Sequence, residues 1–313
     1  MKNLQSGFAG QITKYLDWRE ALGYSRDTDG RMLARFDRYC CANCPGAKEL
    51  TYDVVCGWID SESASIPNKT TAIRNFSKYL QAHGYEAYEY PANGQRREKG
   101  QFLPYMFTTD ELRALFAAID KVKPGLRHPH LPIILPTMFR LIYSCGLRPN
   151  EGRELLRDSI DFESGAIRIV NTKGKKERTV VMSDDMLTRC FGYDEEREAF
   201  AGVNPYFFPS ETGGVYSEKA VQQWFKDCWA AANPDVPESR LPGIRVYDLR
   251  HVFATTALTR WVESGANIKA KMAYLQAYMG HESINETLYY VHLLPETLLS
   301  GGRWDTLSET EVS

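Results

Sequence analysis

Excess positive charge is the first thing this chain lacks. Its 38 lysines and arginines face 40 aspartates and glutamates, a formal net charge of -2. A uniformly basic surface is therefore excluded, and any affinity for a polyanion must come from local clusters. Long apolar runs are also missing. The most apolar stretch, Leu131 to Leu141, contains Pro132 and Pro136 and is too short to span a bilayer. The first twenty residues read as an amphipathic helix, without the cationic start and apolar centre of a targeting peptide. The seven cysteines, at 40, 41, 44, 56, 145, 190 and 228, are odd in number and scattered, the pattern of reduced thiols in a cytoplasmic protein. Cys41 and Cys44 have the spacing of half a zinc site. No second Cys or His pair lies nearby, so we expect a helix end there and no metal. Internal repeats and low-complexity segments are absent.

What is present suffices for two domains. The 313 residues are 43% hydrophobic and 25% charged, ordinary values for a globular chain that buries two cores. From residue 1 to about 89 the pattern is helical throughout: Phe8, Ile12, Tyr15 and Leu16; Leu33, Phe36 and Cys40; Val54, Val55, Trp58 and Ile59 after Thr51 as N-cap; then Ile73, Phe76 and Leu80 before Gly84. These predict four short helices in one bundle. Periodicity then disappears. Residues 90–102 are punctuated by Pro91, Gly94 and Gly100 and contain Arg96, Arg97 and Lys99, which predicts a basic linker able to touch DNA backbone.

A second domain, 103–313, opens on the capping box Thr108 to Glu111, followed by the stripe Leu112, Leu115, Phe116 and Ile119. Leu131 to Cys145 predicts a buried central helix ended by Gly146. Alternation at Ile160 and Phe162, Ile167 and Ile169, and Val180 and Met182 predicts three short antiparallel strands with Gly165 and Gly174 at their turns. Helical patterns return at 217–232, 250–258, 268–279 and from 285 onward. The fold class is thus mainly α with a small antiparallel β-sheet.

Several side chains could act on phosphate. Arg148, at a helix break, and Arg250 suit a phosphate because guanidinium is always charged and forks onto two oxygens. Lys173 begins a hairpin tip, Thr172 to Arg178, dense in cations; Lys175, Lys176 and Arg178 are further phosphate contacts. An ammonium whose pKa is lowered by neighbouring cations could protonate a departing sugar oxygen, which suits Lys173. His281 could donate to phosphate, and the Tyr290 phenol could attack it. Singly, each has an ordinary structural reading: a surface arginine, a solvated hairpin, a buried histidine, a packed tyrosine.

Together they do not. Arg148-Pro149-Asn150-Glu151, the hairpin lysine Lys173, Tyr247-Asp248-Leu249-Arg250-His251, and Gly280-His281 followed by Tyr290-Val291-His292 occur in the order and spacing of the tyrosine recombinases, or phage integrases, which the chain resembles over roughly residues 5 to 295. The resemblance implies a helical core-site-binding domain and a mixed α/β catalytic domain. It also implies a site-specific recombinase that cleaves one strand at a time with Tyr290, through a 3'-phosphotyrosyl intermediate. Arg148 and Arg250 would hold the phosphate, Lys173 would protonate the leaving 5'-oxygen and His281 would assist. Glu151, Tyr247 and His251 would support them. The partners implied are double-stranded DNA at specific sites and a homotetramer on two such sites, with room for accessory DNA-bending proteins, no membrane, and neither metal nor nucleotide cofactor. One departure stands out: Tyr247 occupies the place of the family's usual histidine. Two rivals share the motifs, a type IB topoisomerase-like relaxing enzyme and a DNA-binding protein whose catalysis has lapsed.

Overall fold

Thr51 sits in extended backbone and its hydroxyl accepts from the Val54 amide, so the chain can start a helix with one of its orphan donors satisfied. That helix, α3 (Tyr52–Asp60), joins α1 (Ala9–Ala21), α2 (Asp27–Asn43) and α4 (Ile66–Ala82) in the first unit of the computed structural model, which describes residues 4–61, 66–91, 104–170 and 177–294. The chain divides into two compact units, 1–102 and 103–313. In the first, the predicted stripes converge: Phe8, Ile12, Leu33, Phe36, Trp58, Ile73 and Phe76 form one core. Burying each such side chain contributes roughly 1.5–3 kcal/mol.

The second unit begins with α5 (Thr109–Ile119), where both halves of the capping box form: Glu111 N donates to Thr108 Oγ1 and Thr108 N to Glu111 Oε2. Helix α5 packs along α9 (Glu218–Ala232). At the centre runs α6 (Leu131–Cys145), mostly apolar because it is covered by α5, α8 (Asp184–Ala201) and α10 (Val246–Glu263). Gly146 ends it in the left-handed conformation, φ 60°.

Two features differ from expectation. The sheet has two strands, β1 (Ala166–Ile169) and β2 (Arg178–Val181), antiparallel with Ile167 opposite Val180. The expected first strand contributes only a single bridge, Ile160 to Ile167. Residues Arg157–Ser159 wind into a 3-10 turn before it, and the Asp161 carboxylate accepts from the Glu163 and Ser164 amides after it, so local turns take the backbone groups a strand would need. Helix α8 was not expected. Its buried residues, Met186, Cys190, Tyr193 and Arg197, follow helical spacing, but the last is an arginine donating to the Asn204 and Tyr206 carbonyls, which breaks the apolar stripe.

Between Gly146 and the sheet lies the short α7 (Pro149–Arg153); α11 (Ile268–Met279), α12 (Ile284–Leu288) and a 3-10 turn, Val291–Leu293, follow α10. The α11–α12 region builds a smaller core from Ala254, Leu258, Met272, Leu275, Met279, Tyr290 and Leu294. Helix α10 belongs to both cores, with Leu249 and Val252 in the main one and Ala254 and Leu258 in the other. Arg250 is thereby placed at their junction. Among the described residues, no helix is long and apolar enough to cross a membrane.

Candidate active site

Arg148 occupies the N-cap of α7, with Pro149 at the first helical position, where a missing N–H costs nothing. Glu151, one turn on, reaches back: its Oε2 accepts from the Arg148 amide at 2.8 Å and its Oε1 from Arg148 Nη1 at 2.8 Å. Both the backbone and the side chain of Arg148 are held by one carboxylate.

Arg250 lies in the first half of α10 and is fully buried. Its Nη1 donates to Gly146 O and its Nη2 to Met279 O, each at 2.6 Å, while Nη2 also reaches His281 Nε2 at 3.2 Å. Its Nε, also buried, has no hydrogen-bond partner among the described residues. Orphaned buried donors are rare, and one on a charged group is expensive unless something external completes it.

The end of α11 organises the rest. Gly280 takes the left-handed conformation, φ 64°, and leaves the last carbonyls of the helix without partners of their own. Three successive carbonyls are taken by three different arginines: Tyr278 O by Arg178 Nε (2.8 Å), Met279 O by Arg250, and Gly280 O by Arg148 Nη2 (2.7 Å). The negative end of a helix dipole favours cations there.

His281 follows directly. Arg250 has only hydrogens to offer, so Nε2 accepts, and Nδ1 must carry the proton that it donates to Thr287 Oγ1 at 2.7 Å. Burial, then the Arg250, Arg148 and Arg178 charges, lower the His281 pKa to about 3. The imidazole is neutral. Tyr290 stacks on it, ring centroids 5.8 Å apart, and lies 5.5 Å from the ring of His251. Burial raises the Tyr290 phenol to about 12, opposed by the charges of Arg250 and Arg148. The ring of Tyr247 is 5.0 Å from that of His251. His251 is buried with Nδ1 unpartnered among the described residues, and burial followed by Arg245 and Arg250 lowers it to about 4. Four separate segments of chain thus bring two arginines, two neutral histidines and two tyrosines together.

The sequence profile of the phage integrase family matches residues 106–297. The chain belongs to that family. The integrase/recombinase y4rE of Sinorhizobium fredii, so described by name, is 27% identical over 91% of both chains. The tyrosine recombinase XerD of Rhizobium meliloti is 26% identical, covering 76% of this chain and 72% of its own. Among solved structures, the XerH site-specific recombinase in a post-cleavage complex with its difH substrate superposes with a TM-score of 0.62 at 19% identity, over 87% of this chain and 77% of that one. The Tn1549 transposon integrase bound to transposon right-end DNA gives 0.61 at 17%, over 92% and 96%. At such identities these two likenesses show the fold. As a tyrosine recombinase, the chain is an enzyme of DNA strand cleavage and rejoining.

Within this phage integrase fold, Arg148, Glu151, Tyr247, Arg250, His251, His281 and Tyr290 are gathered as described. Lys173, Lys175 and Lys176 lie outside the described residues, as do Arg96, Arg97 and Lys99. Arg178, expected on DNA with the hairpin cations, instead forks onto Glu151, Nη1 to Oε1 at 2.8 Å and Nη2 to Oε2 at 2.6 Å. Burial alone would raise Glu151. The hydrogen bonds and charge of Arg178, then those from Arg148, bring it to about 2, so it stays ionised. Two participants were not anticipated. Thr287, fully buried, fixes the His281 tautomer. Asp248, also fully buried, accepts from the Arg245 amide and so starts α10. An acid three residues after an N-cap is a legible signal for Asp248; nothing in the periodicity marks Thr287.

Proposed function

We propose that this chain is a site-specific recombinase in which Tyr290 is the nucleophile and Arg148 and Arg250 clamp the scissile phosphate. The observation that carries the reading is the orphaned Nε of a fully buried Arg250 beside Tyr290 and His281. A non-bridging phosphate oxygen is the acceptor that such a donor lacks. Tyr290 Oη attacks phosphorus, the bond to the 5'-oxygen breaks, and a 3'-phosphotyrosine stores the bond energy for rejoining. Lys173 gives its proton to the departing 5'-oxygen. With Tyr247 in place of the family's histidine, the Tyr290 proton passes to solvent. Attack on the phosphotyrosine by a 5'-hydroxyl from a second duplex reverses the chemistry and exchanges strands. The arginines supply the charge stabilisation of the transition state, where removing one preorganised donor costs on the order of 10²–10³ in rate.

The reading extends to four protomers on two specific double-stranded sites, to a cytoplasmic protein of a mobile element, and to accessory DNA-bending proteins where a site requires bending. Arg96, Arg97, Lys99, Lys175 and Lys176 would contact DNA backbone. Glu151, Tyr247 and His251 hold the clamp and the nucleophile. The experiment is covalent trapping on nicked duplexes taken from DNA flanking the gene, in EDTA, comparing wild type with Tyr290→Phe. A metal-independent adduct lost in the variant is the expected result. Site-specific binding without any adduct would favour the lapsed enzyme, and plasmid relaxation by isolated monomers the topoisomerase.

A further inference from the structure

The hydrogen-bonding groups of Arg178 all point inward. Its side chain is 8% exposed, as is that of Glu151. Nη1 and Nη2 fork onto the two Glu151 oxygens and Nε donates to Tyr278 O, so all three nitrogens are engaged within the protein. A phosphate would have to break a buried ion pair to reach it.

Its partners are the groups that hold the clamp. Glu151 accepts from Arg178 and Arg148 on the same two oxygens and lies 4.0 Å from Arg250. Tyr278 is two residues from Gly280, whose carbonyl takes Arg148 and which precedes His281. Arg178 is also the first residue of β2, five positions after Lys173. Gly280 is shaped for this contact: a Cβ there would lie 3.1 Å from Arg178 Cδ and Nη1.

We infer that Arg178 is a positioning residue: by clamping Glu151 and the α11 C terminus together, it sets the orientation in which Arg148 meets the scissile phosphate. The inference rests on the proposed reading of Tyr290 and the arginine pair. With Arg178 gone, Glu151 would turn its whole charge on Arg148 and Arg250 and compete with phosphate for them. Lysine cannot replace the fork, because an ammonium is a point charge without two parallel donors.

The test uses the full-length protein on the trapped site, with Arg178→Lys, Arg178→Met and the double variant Arg178→Met with Glu151→Gln. Both single variants should bind the site within about threefold of wild type with an unchanged salt dependence, since no phosphate contact is lost. Single-turnover adduct formation at saturating protein should fall on the order of 100-fold, the scale of a misplaced reacting group. The double variant should recover at least about tenfold over Arg178→Met, because the competing carboxylate is neutralised. Three results would overturn the inference. One is adduct formation by Arg178→Met at the wild-type rate, and another is a double variant no faster than the single. The third is a salt slope of log K reduced by about 0.9, the signature of one lost phosphate contact. If wild type forms no Tyr290-dependent adduct, the reading of the site falls, and the role of Arg178 with it.

Discussion

Arg250 donates to His281 Nε2 at 3.2 Å, and this contact locks the histidine in its neutral form. Protonating His281 would set two cations against each other in a buried pocket. With His281 lowered to about 3 and His251 to about 4, both native-state values lie below the ordinary value of 6.5. The unfolded chain therefore binds more protons than the native one below pH 6.5. The stability these neutral histidines contribute is complete above that pH and lost as pH falls through about 4 for His251 and about 3 for His281. Urea denaturation at pH 7, 6 and 5 should show a falling midpoint, with unfolding taking up roughly one proton per histidine by pH 5. His281→Gln with His251→Gln should flatten the trend. Glu151, held at about 2, loses its contribution only as pH falls below the ordinary value of 4.5.

Two glycines in the left-handed conformation should respond unequally to alanine. At Gly146 a Cβ would run into the Phe253 ring at 2.4 Å, and at Gly280 it would press less closely on Arg178, at 3.1 Å. Left-handed strain costs each about 1–2 kcal/mol. Overpacking against the ring adds about 1–3 kcal/mol at Gly146. Thermal or urea melts should therefore rank Gly146→Ala below Gly280→Ala. The reverse order would mean that Phe253 moves more freely than Arg178.

The contrast between Arg148 and Arg178 shows what sequence reading reaches. The four helices of the first unit, the Thr108 capping box, the Gly146 stop and the residues now gathered around Tyr290 were all legible, because helical spacing, caps and motif order are local. The protein partners of Arg178 were not legible because they are not local: Glu151 is 27 residues away and Tyr278 is 100. A run of cations in a hairpin looks the same whether its last member faces solvent or a buried carboxylate. Thr287 pairs with His281 only six residues away, but no cap, stripe or motif marks it. The missed helix α8 and the shortened first strand fail differently, through a polar residue in an apolar stripe and an Asp161 turn that consumes backbone donors.

Glu151 is the anion that balances Arg148 and Arg178, with Arg250 at 4.0 Å. Glu151→Gln keeps the shape but leaves these cations without a counter-charge, and breaking a buried ion pair this way costs about 3–5 kcal/mol. Urea denaturation at pH 7.5 should show a loss of that order. Binding a phosphate-rich ligand supplies the missing charge, so saturating site DNA should restore part of the lost melting temperature, and more than it adds to wild type. Equal DNA-induced shifts in both proteins would disconnect Glu151 from the phosphate clamp.

Tyr247 stands near Arg148 and faces His251, where the family's histidine would stand beside the phosphate. A phenol, with a reference pKa of about 10, is a poor proton acceptor at neutral pH, whereas imidazole titrates at about 6.5. Tyr290 itself is raised to about 12. The two histidines beside it, lowered to about 3 and 4, are poor bases, so its reactive phenolate becomes more abundant by about tenfold per pH unit. Wild-type single-turnover cleavage should therefore rise steadily from pH 6 to 9. Tyr247→His places a base there, and general base catalysis contributes about 10²–10⁴-fold where geometry allows. The variant should cleave faster at pH 7 and level off above about pH 7, once the imidazole is neutral. Tyr247→Phe, which removes the phenol beside Arg148, should slow cleavage while keeping the wild-type slope. A Tyr247→His variant with the slope and rate of Tyr247→Phe would show that this position serves Arg148 alone and that the Tyr290 proton leaves by another route.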